Sequence, residues 1–321
     1  MPSKPVLITG AAGFIGSHLV DRCLSAGRRV IAVDAFTDYY DEAVKRRNIA
    51  HALEHPACTL IEADLLELDV HSLLPRVAVV FHLAGQPGVR RSWDEFRLYS
   101  RANVDVTQRL LHAARGASLE RFVLASSSSI YGDAEMLPTH EMIGPRPVSP
   151  YGVTKLTAEH LAKVYWQNFA VPTISLRYFT VYGPRQRPDM AFHRLISCAL
   201  AGEAFELFGD GEQTRDFTYV EDVVSGTMAA AQCGRPGCAY NIGGGSRRSM
   251  NAVLDTLGML LGHDVARTFV NRQAGDARDT GANITLARRE LGFEPAYAFA
   301  AGLEAQVAWQ SSQVVAVGGA R

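Results

Sequence analysis

The chain has no excess of charge of either sign. Its 32 Lys and Arg stand against 33 Asp and Glu, a formal net charge of −1. That balance offers no broad basic surface for nucleic acid or an anionic membrane. No apolar run approaches the ~18 residues of a membrane span. The opening MPSKPVLITG lacks the charged-then-apolar pattern of a secretory leader. Cysteines are few: Cys23, Cys58, Cys198, Cys233 and Cys238 are odd in number and match no metal-ligand spacing. They read as reduced thiols in a cytoplasmic protein, and no metal site is expected. There is no internal repeat. The single serine run, ASSSSIYG at 125–132, has the composition of a linker, yet it follows the apolar, β-prone RFVLA.

What is present is an alternation. Short apolar runs stand at 5–10, 28–34, 58–64, 77–85, 121–127 and 173–179, most of them nearly continuous, as in strands of a parallel sheet covered on both faces. Helical patterns lie between them at 14–27, about 41–54, about 92–115 and about 150–170. This predicts a doubly wound α/β fold. After residue 180 the pattern breaks into Gly-, Pro- and Arg-rich pieces. We expect a cofactor-binding part over 1–179, with about 217–245 returning to its sheet. A smaller, interleaved substrate part is expected over 180–216 and 246–321. The small, apolar tail after about 310 is expected to be poorly ordered.

GAAGFIG places Gly10, Gly13 and Gly16 between the first strand and the first helix. Glycine lets the backbone approach a pyrophosphate, and the helix N-terminus offers free N–H groups. The spacing is G-x-x-G-x-x-G rather than G-x-G-x-x-G, and alone it could be a plain packing turn. Asp34 closes the second strand, where a carboxylate binds ribose hydroxyls and repels a 2′-phosphate; this favours NAD over NADP. A turn cap is the alternative for Asp34. The ADL at 63–65 and HLAG at 82–85 end further strands at the edge where ligands sit.

In SPYGVTKLTAEHLAKVY, Tyr151 and Lys155 are one helical turn apart and share a face. An ordinary phenol is a poor base at neutral pH. A nearby ammonium and an oxidised nicotinamide ring favour the phenolate, which can then take a proton from a sugar hydroxyl as hydride leaves. A serine hydroxyl at the end of the fifth strand can share that proton. His18, His82 and His112 lie in helical or strand patterns and read as structural.

At these residues the chain resembles the extended short-chain dehydrogenase/reductase family, and within it the nucleotide-sugar 4-epimerases acting on UDP-glucuronic acid. The likeness is carried by ITGAAGFIGSHL, FHLAGQPGVRRSW, YGVTKLTAEHL, LRYFTVYGPRQRPDMAFHRLI and FGDGEQTRDFTYVEDV, and covers essentially the whole chain. It implies Tyr151 as base, Lys155 as its electrostatic partner and a ribose ligand of NAD, and Ser127 as the third hydroxyl, where the close pattern often has Thr. It implies cofactor contacts at Gly10, Gly13, Phe14, Ile15, Gly16, Asp34, Phe36, Asp64, Leu65, Leu83, Ala84, Gln86, Asn103, Ser126, Tyr178 and Val181. Arg90 and Arg215 would contact the UDP diphosphate, while Thr180, Ala191 and Phe192 would border the phosphates and uracil. Pro87, Gly88, Phe179 and Gln213 would complete the substrate contacts. Asp276 would touch the uridine ribose, although GDARDTGANITLA departs from the usual pattern. Arg187 would face the sugar carboxylate. Relatives pair through the helices matching 92–115 and 150–170, so a homodimer is expected.

Among related reactions, a 4,6-dehydratase resembling this chain carries Asp-Glu after the catalytic Ser/Thr, and a UDP-glucuronate decarboxylase typically carries Glu two positions after it. Here Ser128 and Ser129 stand there and supply no carboxylate. The expected reaction is therefore epimerisation at carbon 4 of UDP-glucuronic acid to UDP-galacturonic acid through a 4-keto sugar. Ser128, Ser129, Thr180 and Arg187 are expected to hold the carboxylate away from the alignment that releases carbon dioxide. A UDP-glucose/UDP-galactose 4-epimerase, the decarboxylase, and a non-catalytic dinucleotide-binding scaffold remain as alternatives.

Overall fold

The computed structural model describes residues 4–134, 136–271 and 275–318, the side chains of 314–318 excepted. Six strands open the fold: β1 (Val6–Thr9), β2 (Val30–Asp34), β3 (Cys58–Glu62), β4 (Val79–His82), β5 (Arg121–Ser127) and β6 (Thr173–Tyr178). Each matches an apolar run in the sequence. They pair only in parallel, in the order β6-β5-β4-β1-β2-β3, and the strand Ala239–Ile242 adds beside β6. The fold is the expected doubly wound α/β sheet.

The strand order reverses between β1 and β4. A ligand crevice opens at that point, outside the carboxyl ends of both strands. Leu83 N–H donates to Thr9 O at 3.2 Å and Ala84 N–H to Thr9 Oγ1 at 3.2 Å, fixing the two strand ends side by side.

Helices α1 (Phe14–Ser25), α2 (Glu42–Leu53), α3 (Val70–Leu73), α4 (Phe96–Tyr99), α5 (Val106–Ala114) and α6 (Pro150–Phe169) cover the faces. α6 starts where the sequence indicates: Ser149 caps it by accepting the Gly152 N–H at 3.1 Å, and Pro150 occupies its first turn. The single helix expected over 92–115 is instead interrupted. Between α4 and α5, Ser100–Asp105 forms a π-helical turn, and this aims Asn103 inward. The apolar period alone carries no sign of that extra residue per turn.

A helix runs over Phe299–Gly318. Its inner face buries Phe299, Leu303, Gln306 and Gln310. Gln310 Nε2 donates to His193 O and Ser197 Oγ, at 2.9 and 2.7 Å. The buried amides of Gln306 and Gln310 anchor this helix as far as residue 310.

Candidate active site

The crevice begins at the glycine turn. Gly10 has φ +69°, and a Cβ there would come within 2.7 Å of the Ala84 nitrogen; a Cβ at Gly16 would overlap the Gly10 carbonyl. β1, the turn and α1 thus pack backbone on backbone. α1 has no acidic residue in its first turn, which leaves its N-terminus open to an anion. Asp34 lies at the end of β2 and lines the same cleft. Its carboxylate accepts Ala12 N–H at 3.0 Å and Phe36 N–H at 2.9 Å. It therefore caps the turn as well as walling the cleft.

The cleft is lined by Gly10, Gly13, Phe14, Ile15, Gly16, Asp34, Asp64, Leu65, Leu83, Ala84, Gln86, Pro87, Ser126, Tyr151, Lys155, Tyr178 and Arg187 of the expected residues. It is also lined by Tyr39, Tyr40, Lys45 and Arg101, which sequence reasoning missed. Arg101 pairs with Asp64 at 2.8 Å. Lys45 Nζ donates to Thr37 O and Oγ1 at 2.6 and 3.0 Å, and burial holds its ammonium below the usual range. The missed signal was the DYYD stretch directly after β2, at the carboxyl edge of the sheet.

Phe36, Asn103 and Val181 do not line the cleft. Phe36 is buried in the core, and its ring carries the Arg46 guanidinium at 4.4 Å. Val181 is buried in a short strand paired with Thr218–Tyr219. Asn103 stands behind the wall. Its Oδ1 accepts Gln86 N–H at 2.7 Å, and its Nδ2 donates to Gln86 O at 3.1 Å and Thr154 Oγ1 at 3.0 Å. It ties the Gln86 loop to α6.

Tyr151 and Lys155 enter the cleft from the first turns of α6. Burial pushes the Tyr151 phenol up, opposed by the neighbouring Ser127 hydroxyl and the charge of Arg187. Burial alone pulls Lys155 down to about 8. Ser127 is the last residue of β5, and Ser128–Ile130 turn away in a single 3₁₀ turn. Ser127 Oγ accepts Ser129 N–H at 3.1 Å and donates to Ser129 Oγ at 3.1 Å. A hydroxyl has one proton to give. Donation to a Tyr151 phenolate therefore breaks the bond to Ser129 and frees that hydroxyl for another partner.

Arg187 stands at the same end. Its Nε and Nη2 donate to the two carboxylate oxygens of Asp189 at 2.9 and 3.0 Å, and Tyr39 donates its hydroxyl to Asp189 at 3.2 Å. Burial raises the Asp189 carboxyl, but Arg187 and Tyr39 outweigh it and hold the group below its usual range.

A second cluster gathers the remaining charged residues. Arg90 pairs with Asp276 at 3.2 Å and lies 3.9 Å from the Phe208 ring centroid. Gln213 donates to Phe208 O at 2.7 Å, and Arg215 to Arg278 O at 2.8 Å. Gly275 packs against Trp93 and Ser149, so this cluster abuts the cap of α6. Gly88, φ +100°, packs beside the Tyr39 and Tyr99 hydroxyls. Thr180 is half-buried, and its carbonyl accepts Thr218 N–H at 2.9 Å. Ala191 opens the helix Ala191–Ala201 and is exposed. Phe179 and Phe192 are core residues: Phe192 stacks 4.7 Å from Phe217, and Phe179 lies 6.3 Å from Tyr131. Their rings shape the region from behind.

The histidines are structural where their contacts are defined. His82 is held between Thr9 Oγ1 at 2.8 Å and Thr107 Oγ1 at 3.0 Å, and burial drives its pKa down to about 3. His18 bonds Glu221 and Pro184 O. Among the described residues there is no cluster able to hold a metal ion, and no helix is long and apolar enough to cross a membrane.

A glycine turn at the switch point, an acid closing β2, and a Tyr/Lys/Ser set at one mouth together suit redox chemistry on a bound dinucleotide. The model of the NAD dependent epimerase/dehydratase family matches residues 6–243. The chain belongs to that family. It is 44% identical over 312 residues to a Bacillus subtilis (strain 168) protein called uncharacterized UDP-glucose epimerase YtcB, covering 96% of this chain and 98% of that one. It is similar to the crystal structure of UDP-glucuronic acid 4-epimerase from Bacillus cereus in complex with UDP-glucuronic acid and NAD. The TM-score is 0.94 at 41% identity, over 96% of this chain and 99% of that one. It is also similar to MoeE5 in complex with UDP-glucose and NAD, with a TM-score of 0.87 at 42% identity over 97% and 99% of the two chains.

Proposed function

We propose that this protein is an NAD-dependent UDP-sugar 4-epimerase that interconverts UDP-glucuronic acid and UDP-galacturonic acid. The observation that carries the reading is the set at the cleft mouth. The Ser127 hydroxyl and the Arg187 charge both favour the Tyr151 phenolate against burial, and positions 128 and 129 hold no carboxylate. The Bacillus cereus protein, similar over nearly its whole length, binds both UDP-glucuronic acid and NAD.

The residues present fit NAD: the N-terminus of α1, with no side-chain cap and no acid in its first turn, would take the pyrophosphate, and the Asp34 carboxylate in the cleft wall would take ribose hydroxyls. NAD, when bound, supplies the hydride acceptor and then the hydride donor. The chain does the rest. Tyr151 takes the proton of the sugar 4-hydroxyl, aided by Ser127 and Lys155, and returns it after the 4-keto sugar has turned over. Arg90 and Arg215, in the second cluster, hold the UDP diphosphate while the sugar turns. Gln213 and Asp276 belong to the same cluster and border the nucleotide. Arg187, Ser128, Ser129 and Thr180 hold the carboxylate, which keeps a β-keto acid from losing carbon dioxide.

In this reading residues 1–179, with 217–245 returning to the sheet, carry the cofactor, and 180–216 with 246–321 carry the nucleotide sugar. The five cysteines are free, which suits a cytoplasmic protein. Phe96, Val153 and Val164 lie exposed on α4 and α6; these apolar faces suit a homodimer built from paired helices.

A second reading, epimerisation of UDP-glucose, draws on one observation: Arg187 already has an internal counter-ion in Asp189. Incubation with UDP-glucuronic acid and with UDP-glucose separately, with products identified by NMR, decides between them. UDP-galacturonic acid is expected from the first. UDP-galactose as the sole product, or a UDP-pentose, overturns the assignment.

A further inference from the structure

We propose that Asp189 sets how strictly the site demands a carboxylate at carbon 6 of the sugar; this rests on the reading of Arg187 as the group that faces that carboxylate. The sequence flags Arg187 but not its partner two residues on.

The geometry is specific. Asp189 takes Nε and one Nη2 hydrogen of Arg187 in a two-bond fork, at 2.9 and 3.0 Å. Of the five guanidinium hydrogens, the Nη1 pair and the outer Nη2 hydrogen remain. Arg187 is the more enclosed partner, with 17% of its side chain exposed against 37% for Asp189. Tyr39 donates to the Asp189 Oδ2 that also takes the Nη2 hydrogen, at 3.2 Å, and both Tyr39 and Arg187 line the cleft that holds Tyr151.

Two effects follow, and they act in the same direction. With a neutral hydroxymethyl group at carbon 6, Arg187 keeps its counter-ion, so no enclosed charge is stranded. With a carboxylate there, the sugar shares the guanidinium with Asp189 and feels its negative charge. Asp189 thus lowers the penalty on the neutral sugar and lowers the gain from the charged one. Specificity is the difference between those two affinities. Tyr39 acts through Asp189, by stabilising its charge.

The test uses the NAD-bound protein in a Tyr151→Phe background, so that neither sugar turns over. Dissociation constants for UDP-glucuronic acid and UDP-glucose are measured by calorimetry, with and without Asp189→Asn. The preference for UDP-glucuronic acid is expected to rise at least tenfold. In a further Arg187→Ala background, Asp189→Asn is expected to leave the ratio unchanged, because the effect passes through the guanidinium. An unchanged ratio in the first comparison, or the same rise without Arg187, overturns the proposal. Should Asp189→Asn lower the yield of folded protein, Asp189→Ser removes the same charge and repeats the comparison. The unsubstituted protein is assayed on UDP-glucuronic acid alongside. Turnover there with a flat ratio rejects the role of Asp189 alone. Absence of turnover and of binding rejects the functional reading, and the proposal with it.

Discussion

Ser126 donates its hydroxyl to Glu159 at 3.0 Å, tying the end of β5 to the third turn of α6. Glu159 also carries Arg177 of β6, which donates from Nε at 3.1 Å and from Nη1 to Tyr131 at 2.6 Å. Tyr131 donates its hydroxyl to Asn241 Oδ1 at 2.8 Å, on the strand beside β6. A buried charge pair therefore sits directly behind the residues that carry the chemistry, and Glu159 lies on the same helix as Tyr151 and Lys155.

Removing one partner of that pair strands the other. Glu159→Ala leaves the Arg177 guanidinium, 7% exposed, without its carboxylate. The expected loss is about 3–5 kcal/mol of unfolding free energy, read from urea unfolding curves. Glu159→Gln keeps an acceptor for Ser126 and is expected to lose less. Equal losses for both would mean that the charge is not what matters.

The pH dependence of turnover reports on Tyr151. Ser127 and Arg187 both favour the phenolate against the effect of burial. Ser127→Ala and Arg187→Gln therefore each raise the phenol's pKa, and the acid limb of the kcat profile on UDP-glucuronic acid moves to higher pH. At neutral pH the rate falls about 10²-fold. A limb that stays in place in both variants would remove Tyr151 as the titrating base.

His82 makes stability fall in mild acid. Its folded-state value is about 3 against an ordinary 6.5. The unfolded chain therefore binds the proton first as pH drops. The contribution is fully present above 6.5 and is lost as pH falls from there towards 3, with a slope of up to about 1.4 kcal/mol per pH unit. His82→Gln carries no proton at either end. The difference in unfolding free energy between the two proteins is expected to shrink from pH 7 to pH 5, and a constant difference would contradict the account.

In the proposed homodimer, the pairing of two copies would place a charge-sensitive surface on α6. Val153 and Val164 are each 44% exposed on α6, and their spacing keeps them on one face. Val164→Glu is expected to halve the mass seen by size exclusion with light scattering while leaving the helix content unchanged. A mass equal to one chain before substitution would refute the homodimer.

Much of this fold is legible in the sequence because parallel strands buried on both faces read as continuous apolar runs. β5 and β6 show it most plainly. The glycine turn and the Tyr151/Lys155 pair are legible for a related reason: backbone approach and helical spacing are local. The π-helical turn at Asn103 is not, since it depends on bonds to Gln86 and Thr154 from distant segments. Phe36 and Phe192 show a second limit. Proximity to a ligand edge in sequence does not tell which way a ring faces, and both rings pack inward. Asp189 and Tyr39 show a third: they meet only through the fold, 150 residues apart in the chain.

The central claim is hydride removal and return at carbon 4, with Tyr151 moving the proton. UDP-glucuronic acid carrying deuterium at carbon 4 tests it most directly, with the product analysed by NMR. The expected result is UDP-galacturonic acid that keeps its deuterium at carbon 4 and takes none from solvent water, and no product when Tyr151 is replaced by Phe. Loss of the label to solvent, or an epimer inverted at another carbon, would contradict it.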